Sequence, residues 1–165
     1  MSTFNDYYDS SKFSDTHIAM LEKINELGPG FAERAVQVDL NADFPAQNYK
    51  ELAEYGFLKL VIPEEYGGYG FSLAEYATIG AEIGKYCGAT ALTFNMHTSS
   101  MMWLRFMYEM PHLTAEEKAA FEAMRERQFP KVVNDHAIFS QPISCLLYTS
   151  PSPRDQRGSR MPSSA

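Results

Sequence analysis

The chain is short of cysteine, of positive charge and of long apolar runs, and each shortage removes a class of function. Only Cys87 and Cys145 are cysteines among 165 residues, which excludes a disulfide-framed scaffold and points to a reducing, cytoplasmic setting. Lysine and arginine number 14 against 21 aspartates and glutamates, for a net charge of −7. Phosphate binding needs clustered cations, so nucleic acid is not expected as a partner, and no basic amphipathic helix suggests a membrane surface. No apolar run approaches the ~20 residues that cross a bilayer, and the polar first 14 residues lack the basic and apolar regions of a secretory signal. Membrane insertion is therefore not expected. The four histidines, His17, His97, His112 and His136, are scattered, so no metal site is expected. Gly67-Gly68-Tyr69-Gly70 lacks the Lys-Ser/Thr of a phosphate loop, and no hydrolase nucleophile elbow is present.

What the chain does have is apolar content of 45% and aromatic content of 13%, enough for one core. From Asp15, apolar residues recur at Ile18, Leu21, Ile24, Leu27, Phe31, Ala35 and Val38, the steps of three and four that make a helical stripe. Gly28-Pro29-Gly30 interrupts it, and a proline's missing N–H predicts a kink or break there. Pro45 suits the first turn of a second helix reaching Tyr55, with Tyr49, Leu52 and Ala53 inward and Gly56 as a left-handed cap. Ser72 with Glu75 forms a capping box for a third helix. Its inner face is expected to hold Leu73, Tyr76, Ala77, Gly80, Ile83, Gly84 and Cys87, with Glu82 opposite and the glycines allowing a close neighbour. Residues 89–107 are apolar all round, the pattern of a central helix buried on every side. Thr114 with Glu117 repeats the capping box ahead of a helix ending near Gln128, and Val132-Val133 and Ala137-Ile138-Phe139 read as short strand material.

The run Ile62-Pro63-Glu64-Glu65-Tyr66-Gly67-Gly68-Tyr69-Gly70 is a proline-opened, glycine-dense loop between helical patterns. Asp43-Phe44-Pro45 and Ala53 to Leu60 precede it, and Ser72-Leu73-Ala74-Glu75 follows. In that order and spacing the set resembles the N-terminal helical domain of the acyl-CoA dehydrogenase superfamily, over residues 15–143. The resemblance implies an all-α helical bundle across residues 15–130, a flexible stretch before it at 1–14, and the start of a middle β-domain at 131–144. It implies an FAD-dependent oxidoreductase as parent, removing hydrogens from the α and β carbons of an acyl-CoA thioester in fatty acid metabolism. The parent would be a homo-oligomer passing electrons to an acceptor, and this fragment alone would be inactive, its catalytic residues lying elsewhere. A flavin-dependent monooxygenase of the same fold and a helical interaction module without redox chemistry stand as alternatives.

Within the resemblance, Ile138-Phe139-Ser140-Gln141-Pro142 is similar to the family segment that contacts the flavin ring, which makes Phe139 and Ser140 the expected cofactor-binding residues. Gln141 departs from the usual Glu. On the central helix, Leu92, Asn95, Met96 and Ser99 share one face by spacing, and the equivalent family helix lines the acyl cavity, so these four are the expected substrate-binding residues. His97 stands one step off that face and reads as a satisfied core histidine, because no carboxylate partner is near it in sequence. Tyr66 and the loop glycines are assigned to packing.

Residues 145–165 are of another kind. Cys145-Leu146-Leu147-Tyr148-Thr149-Ser150-Pro151-Ser152-Pro153-Arg154-Asp155 is, in one reading frame, a common transposase sequencing adapter, and 159–165 matches the flow-cell sequence that follows it. This tail is read as non-native and disordered. Its Arg154, Arg157 and Arg160 against Asp155 leave the rest of the chain more acidic than the whole.

Overall fold

Ser14 starts the first helix by accepting the His17 backbone N–H on its hydroxyl at 3.2 Å, which satisfies one of the amides a helix start leaves open. The computed structural model describes residues 12–140. Most of the expected 1–14 segment and all of the 145–165 tail lie outside them. Five α-helices follow in order: α1 Asp15–Asn41, α2 Ala46–Glu54, α3 Leu73–Tyr86, α4 Gly88–Glu109 and α5 Ala115–Asp135, with 3-10 turns at Phe57–Lys59 and Glu64–Tyr66 between α2 and α3. Helix α1 packs on α3, α3 on α4 and α4 on α5. The core between them holds Leu21, Ile24 and Phe31 of α1, Leu52 of α2, Ile79 and Ile83 of α3, Phe94 and Met101 of α4 and Phe129 of α5. The expected all-α architecture is therefore observed, and both capping boxes form, Ser72 with Glu75 and Thr114 with Glu117.

Helix α1 does not break at Gly28-Pro29-Gly30. A proline inside a helix costs about 3 kcal/mol, but Pro29 faces solvent while Ile24 and Phe31 on either side are fully buried. Core packing on both sides holds the helix through the defect. Asn25 bridges the same turn, donating to the Leu21 carbonyl at 2.9 Å and accepting from the Tyr86 hydroxyl at 2.8 Å.

Further expectations are corrected. The helix expected to end near Gln128 runs through Pro130 to Asp135, so Val132 and Val133 are helical, and no strand occurs among the described residues. The carbonyl that Pro130 leaves unpaired belongs to exposed Glu126, where water can satisfy it, while Phe129 and Val132 are buried. On α3, Leu73 is exposed whereas Ile79 and Glu82 are buried. Glu82 can enter because Lys85, three residues on, pairs with it at 2.5 Å. Gly80 and Gly84 are not the close-approach points either, since a β-carbon at each would meet its nearest neighbour at an ordinary 3.7 Å.

The loop carrying the glycine-dense run folds back on itself. Gly70 and Phe71 donate to the carbonyls of Ile62 and Leu60, each at 2.8 Å. Gly68 lies so close to Ile62 that a β-carbon would sit 2.1 Å from its carbonyl oxygen, so only glycine fits. Arg105 of α4 clamps the loop from above: one guanidinium nitrogen donates to the carbonyls of Val61, Gly70 and Phe71 at 3.3, 3.1 and 3.2 Å. From α5, the Glu122 carboxylate accepts the Tyr66 hydroxyl, and buried Arg125 binds Glu122 at 2.9 Å and Glu65 at 3.1 Å. The packing role expected for Tyr66 is thus given specific partners.

Candidate functional site

Helix α4 organises the site because its two sides have opposite surroundings. Its N-terminus is capped by Cys87, whose sulfur accepts the Thr90 hydroxyl at 3.1 Å. Buried Asn48 donates to that same threonine oxygen at 2.8 Å and accepts from Arg34, tying α1 and α2 to α4. Phe94, Met101 and Leu104 face inward. The opposite side is not covered: Leu92 is 67% exposed, Trp103 54% and Met96 37%, with Phe106 and Met110 also open. At 100° per residue these positions fall on one face, so α4 carries a mostly apolar stripe along its outer side, interrupted at Ser99. The expectation of burial on every side is corrected here, because α3 and α5 cover only the inner part of the helix.

His97 sits under this surface, fully buried. Its Nδ1 accepts the Phe139 backbone N–H at 3.1 Å, and its Nε2 lies 2.8 Å from the Leu58 carbonyl oxygen. A backbone N–H can only donate and a carbonyl can only accept, so the proton resides on Nε2 and the ring is neutral. Burial lowers its pKa, and the Leu58 hydrogen bond offsets only part of that. The satisfied core histidine expected from the sequence is what the structure contains.

Where α4 and α5 diverge, a cleft of about 320 Å³ opens, lined by Ser100, Trp103, Leu104 and Met107 of α4, Phe121, Met124 and Gln128 of α5, and Phe139 and Ser140. Its wall is aromatic and thioether, with hydroxyl and amide groups at a few points and no charged side chain. Phe139 is partly buried against the core and Ser140 is exposed. A second hollow of about 350 Å³ lies between the end of α2, the loop and the end of α5, with Lys59, Tyr69, Glu54 and His136 on its rim. It gathers no paired acid and base.

The expected site residues fall into two places. Phe139 and Ser140 meet at the cleft. Leu92, Asn95, Met96 and Ser99 do share one face of α4, but lie N-terminal to the cleft; Leu92 precedes Trp103 by about 16 Å of helix at 1.5 Å per residue. Asn95 is already engaged, accepting the Tyr76 hydroxyl at 2.8 Å, and Ser99 donates to the Met96 carbonyl at 3.1 Å. Burial pushes the Tyr76 pKa up to about 12, so this hydroxyl remains a donor. Sequence reasoning missed Trp103, Met107, Phe121, Met124 and Gln128. Trp103 continues the step from Ser99 and was legible as part of the stripe. The α5 residues repeat at three and four, but nothing local says which face of α5 meets α4.

Comparison with known proteins gives the same outline. The family described as acyl-CoA dehydrogenase, N-terminal domain, matches residues 14–109. The protein named probable acyl-CoA dehydrogenase YngJ of Bacillus subtilis is 35% identical over 78 residues, 44% of this chain and 20% of that one. The human mitochondrial short-chain specific acyl-CoA dehydrogenase is 32% identical over 97 residues, 56% of this chain and 23% of its own. The oxygenase component of p-hydroxyphenylacetate 3-hydroxylase from Acinetobacter baumannii is 32% identical over 79 residues, 48% of this chain and 19% of its own. The chain thus spans about a fifth of the length of the relatives it matches. Among the described residues no helix is long and apolar enough to cross a membrane.

Proposed function

Because the chain belongs to the acyl-CoA dehydrogenase family by its N-terminal domain, we propose that it is the helical wall of an FAD-dependent enzyme that removes hydrogens from the α and β carbons of an acyl-CoA thioester. The observation that carries this reading is the placement of Phe139 and Ser140, held by His97 at the edge of an uncharged cleft beside the open stripe of α4. A bound flavin would supply the acceptor for the hydride of the β carbon. The cleft suits the ring of that cofactor: flat apolar surface from Trp103, Phe121 and Phe139, and one exposed hydroxyl on Ser140. It does not suit the diphosphate, because no lysine or arginine lines it. This domain's own contribution is therefore to hold apolar surface against the reactants, keep water from them and offer the Ser140 hydroxyl as a hydrogen-bonding group.

The aliphatic chain of the thioester would lie along α4, against Leu92, Met96 and Ser99, with Asn95 fixed by Tyr76. No carboxylate lines the cleft, so the base that takes the α-proton has to come from outside its lining, and near-attack geometry needs groups the cleft does not hold. On this reading the fragment is inactive by itself, and the complete protein is an oligomer that passes electrons to a separate acceptor. Likeness to the oxygenase component keeps a second reading, reduced flavin with oxygen on the same fold.

The test uses the complete protein reconstituted with flavin and mixed with acyl-CoA without oxygen. Bleaching of the yellow colour supports the dehydrogenase. A protein that stays colourless overturns the enzyme assignment. One that is reduced only by a reductase and then oxygenates a substrate establishes the monooxygenase.

A further inference from the structure

We infer that His97 is a positioning residue: by accepting the Phe139 backbone N–H and donating to the Leu58 carbonyl, it fixes the 137–140 segment so that the Ser140 hydroxyl stands at the cleft. The functional part of this inference rests on the flavin reading above; the geometric part does not.

Residues 136–140 follow α5 with no regular secondary structure. Among the described residues their backbone N–H groups are tied at two points, Ala137 to the Lys131 carbonyl at 3.0 Å and Phe139 to His97 at 3.1 Å. The first tie belongs to the end of α5, where His136 turns the chain in a left-handed conformation with φ 54°. Only the second reaches another element. An amide withdrawn from water hydrogen-bonds elsewhere or costs free energy, and the partly buried Phe139 N–H finds its acceptor in a side-chain nitrogen presented from the middle of α4.

Plain packing does not account for this residue. Leucine or methionine would fill the space in a helix otherwise packed with apolar side chains, without the cost of burying an imidazole. What imidazole adds is one acceptor and one donor on opposite edges of a rigid ring. Both are spent on main-chain groups outside the long helices, one in the 3-10 turn at Phe57–Lys59 and one in the segment bearing Ser140. The ring therefore couples the loop to the cleft edge through α4. Because the backbone partners cannot exchange donor and acceptor roles, the ring holds a single neutral tautomer and orientation.

The two edges can be removed separately. His97→Asn keeps an amide oxygen near the Nδ1 position and loses the reach to Leu58. His97→Gln keeps a donor near Nε2 and loses the acceptor for Phe139. His97→Leu loses both. In the full chain, followed by hydrogen exchange, the Phe139 amide should keep its protection in His97→Asn. It should exchange about five- to tenfold faster in His97→Gln and His97→Leu, as expected for one lost neutral hydrogen bond. Amides of α3 report whether each variant remains folded; if His97→Leu unfolds, the comparison of Asn with Gln decides alone. Equal Phe139 protection in the Asn and Gln variants, or faster exchange in Asn than in Gln, overturns the positioning role. In the flavin-loaded complete protein, the visible spectrum should shift in His97→Gln and return to that of the parent in His97→Asn. An unmoved spectrum with altered exchange overturns the link to the cofactor. A complete protein that holds no flavin overturns the flavin reading and leaves the exchange result to judge His97.

Discussion

Gly28 of α1 lies beneath the ring of Tyr86 of α3, so close that a β-carbon on it would fall 2.3 Å from two ring carbons. The ring cannot easily retreat, because its hydroxyl is bonded to Asn25 one turn before Gly28. This is where the two helices make their close approach.

Gly28→Ala should therefore destabilise the domain by about 1–3 kcal/mol, the usual cost of overpacking. Gly80→Ala, on an α3 surface with ordinary room, should stabilise it by about 0.5–1 kcal/mol through helix propensity. Urea unfolding of the two variants checks both signs, and a stable Gly28→Ala would mean that the helices do not meet there.

Acid should weaken the fold in two windows. Burial lowers the pKa of His97, and burial lowers that of His17 against the opposing pull of Glu75, so both titrate below the ordinary 6.5 when folded. Between the folded and ordinary values the unfolded chain binds more protons. This contribution is thus complete above about 6.5 and lost as pH falls through the folded values, by up to about 1.4 kcal/mol per pH unit for each ring. Glu75 and Glu117 act lower. Partial burial raises Glu75, but its Ser72 hydrogen bonds and the charges of His17 and Arg105 outweigh it, while Thr114 hydrogen bonds lower Glu117. Their contribution is lost as pH falls below 4.5, the ordinary value. Urea midpoints that stay level between neutral pH and about pH 5 would contradict the histidine part.

The open stripe of α4 should make the isolated chain bind hydrophobic dye and self-associate. Leu92→Lys combined with Trp103→Lys should reduce both while changing unfolding by no more than about 0.5 kcal/mol, since these side chains are exposed. A parent chain that is monodisperse, dye-negative and cooperative in unfolding would favour the autonomous interaction module.

Ser140→Ala in the complete protein should weaken flavin retention by about 1 kcal/mol, roughly fivefold in Kd, if one neutral hydrogen bond is lost. Flavin release measured by fluorescence is the readout. Unchanged retention and an unchanged spectrum would remove Ser140 from the cofactor site.

The tail at 145–165 makes a prediction at the level of DNA. Genomic DNA prepared without the adapter should not encode those residues after Ser144, and recovery of the same tail would establish it as native.

Local signals were read correctly where local chemistry decides the outcome. Ser72 with Glu75 and Thr114 with Glu117 can be recognised from four residues each, because the bonds they make close within one turn. The break allowed at Pro29 and the helix end placed before Pro130 misled for the complementary reason: the rule about proline is local, while Phe31, Phe129 and Val132, which hold those helices through the defect, act from the core. The stripe of α4 was visible as a pattern, but its exposure was not, since periodicity says which residues share a face and nothing about what covers it. The His97–Phe139 bond joins positions 42 apart in sequence, and no spacing rule reaches that far. Placement of Phe139 and Ser140 beside Trp103 and Phe121 depended on the angle between α4 and α5, which only the folded chain supplies.

Helix α3 packs on α4 and α4 on α5, two pairs that are neighbours along the chain, while α1 reaches past α2 to α3. Contacts of that kind close short loops, and short loops cost little entropy and form fast. As the polypeptide leaves the ribosome, each hairpin can close soon after its second helix emerges, before anything made later is needed. His97 cannot complete its bonds until Phe139 has been synthesised, so the clasp at the cleft closes only after α3, α4 and α5 have all emerged.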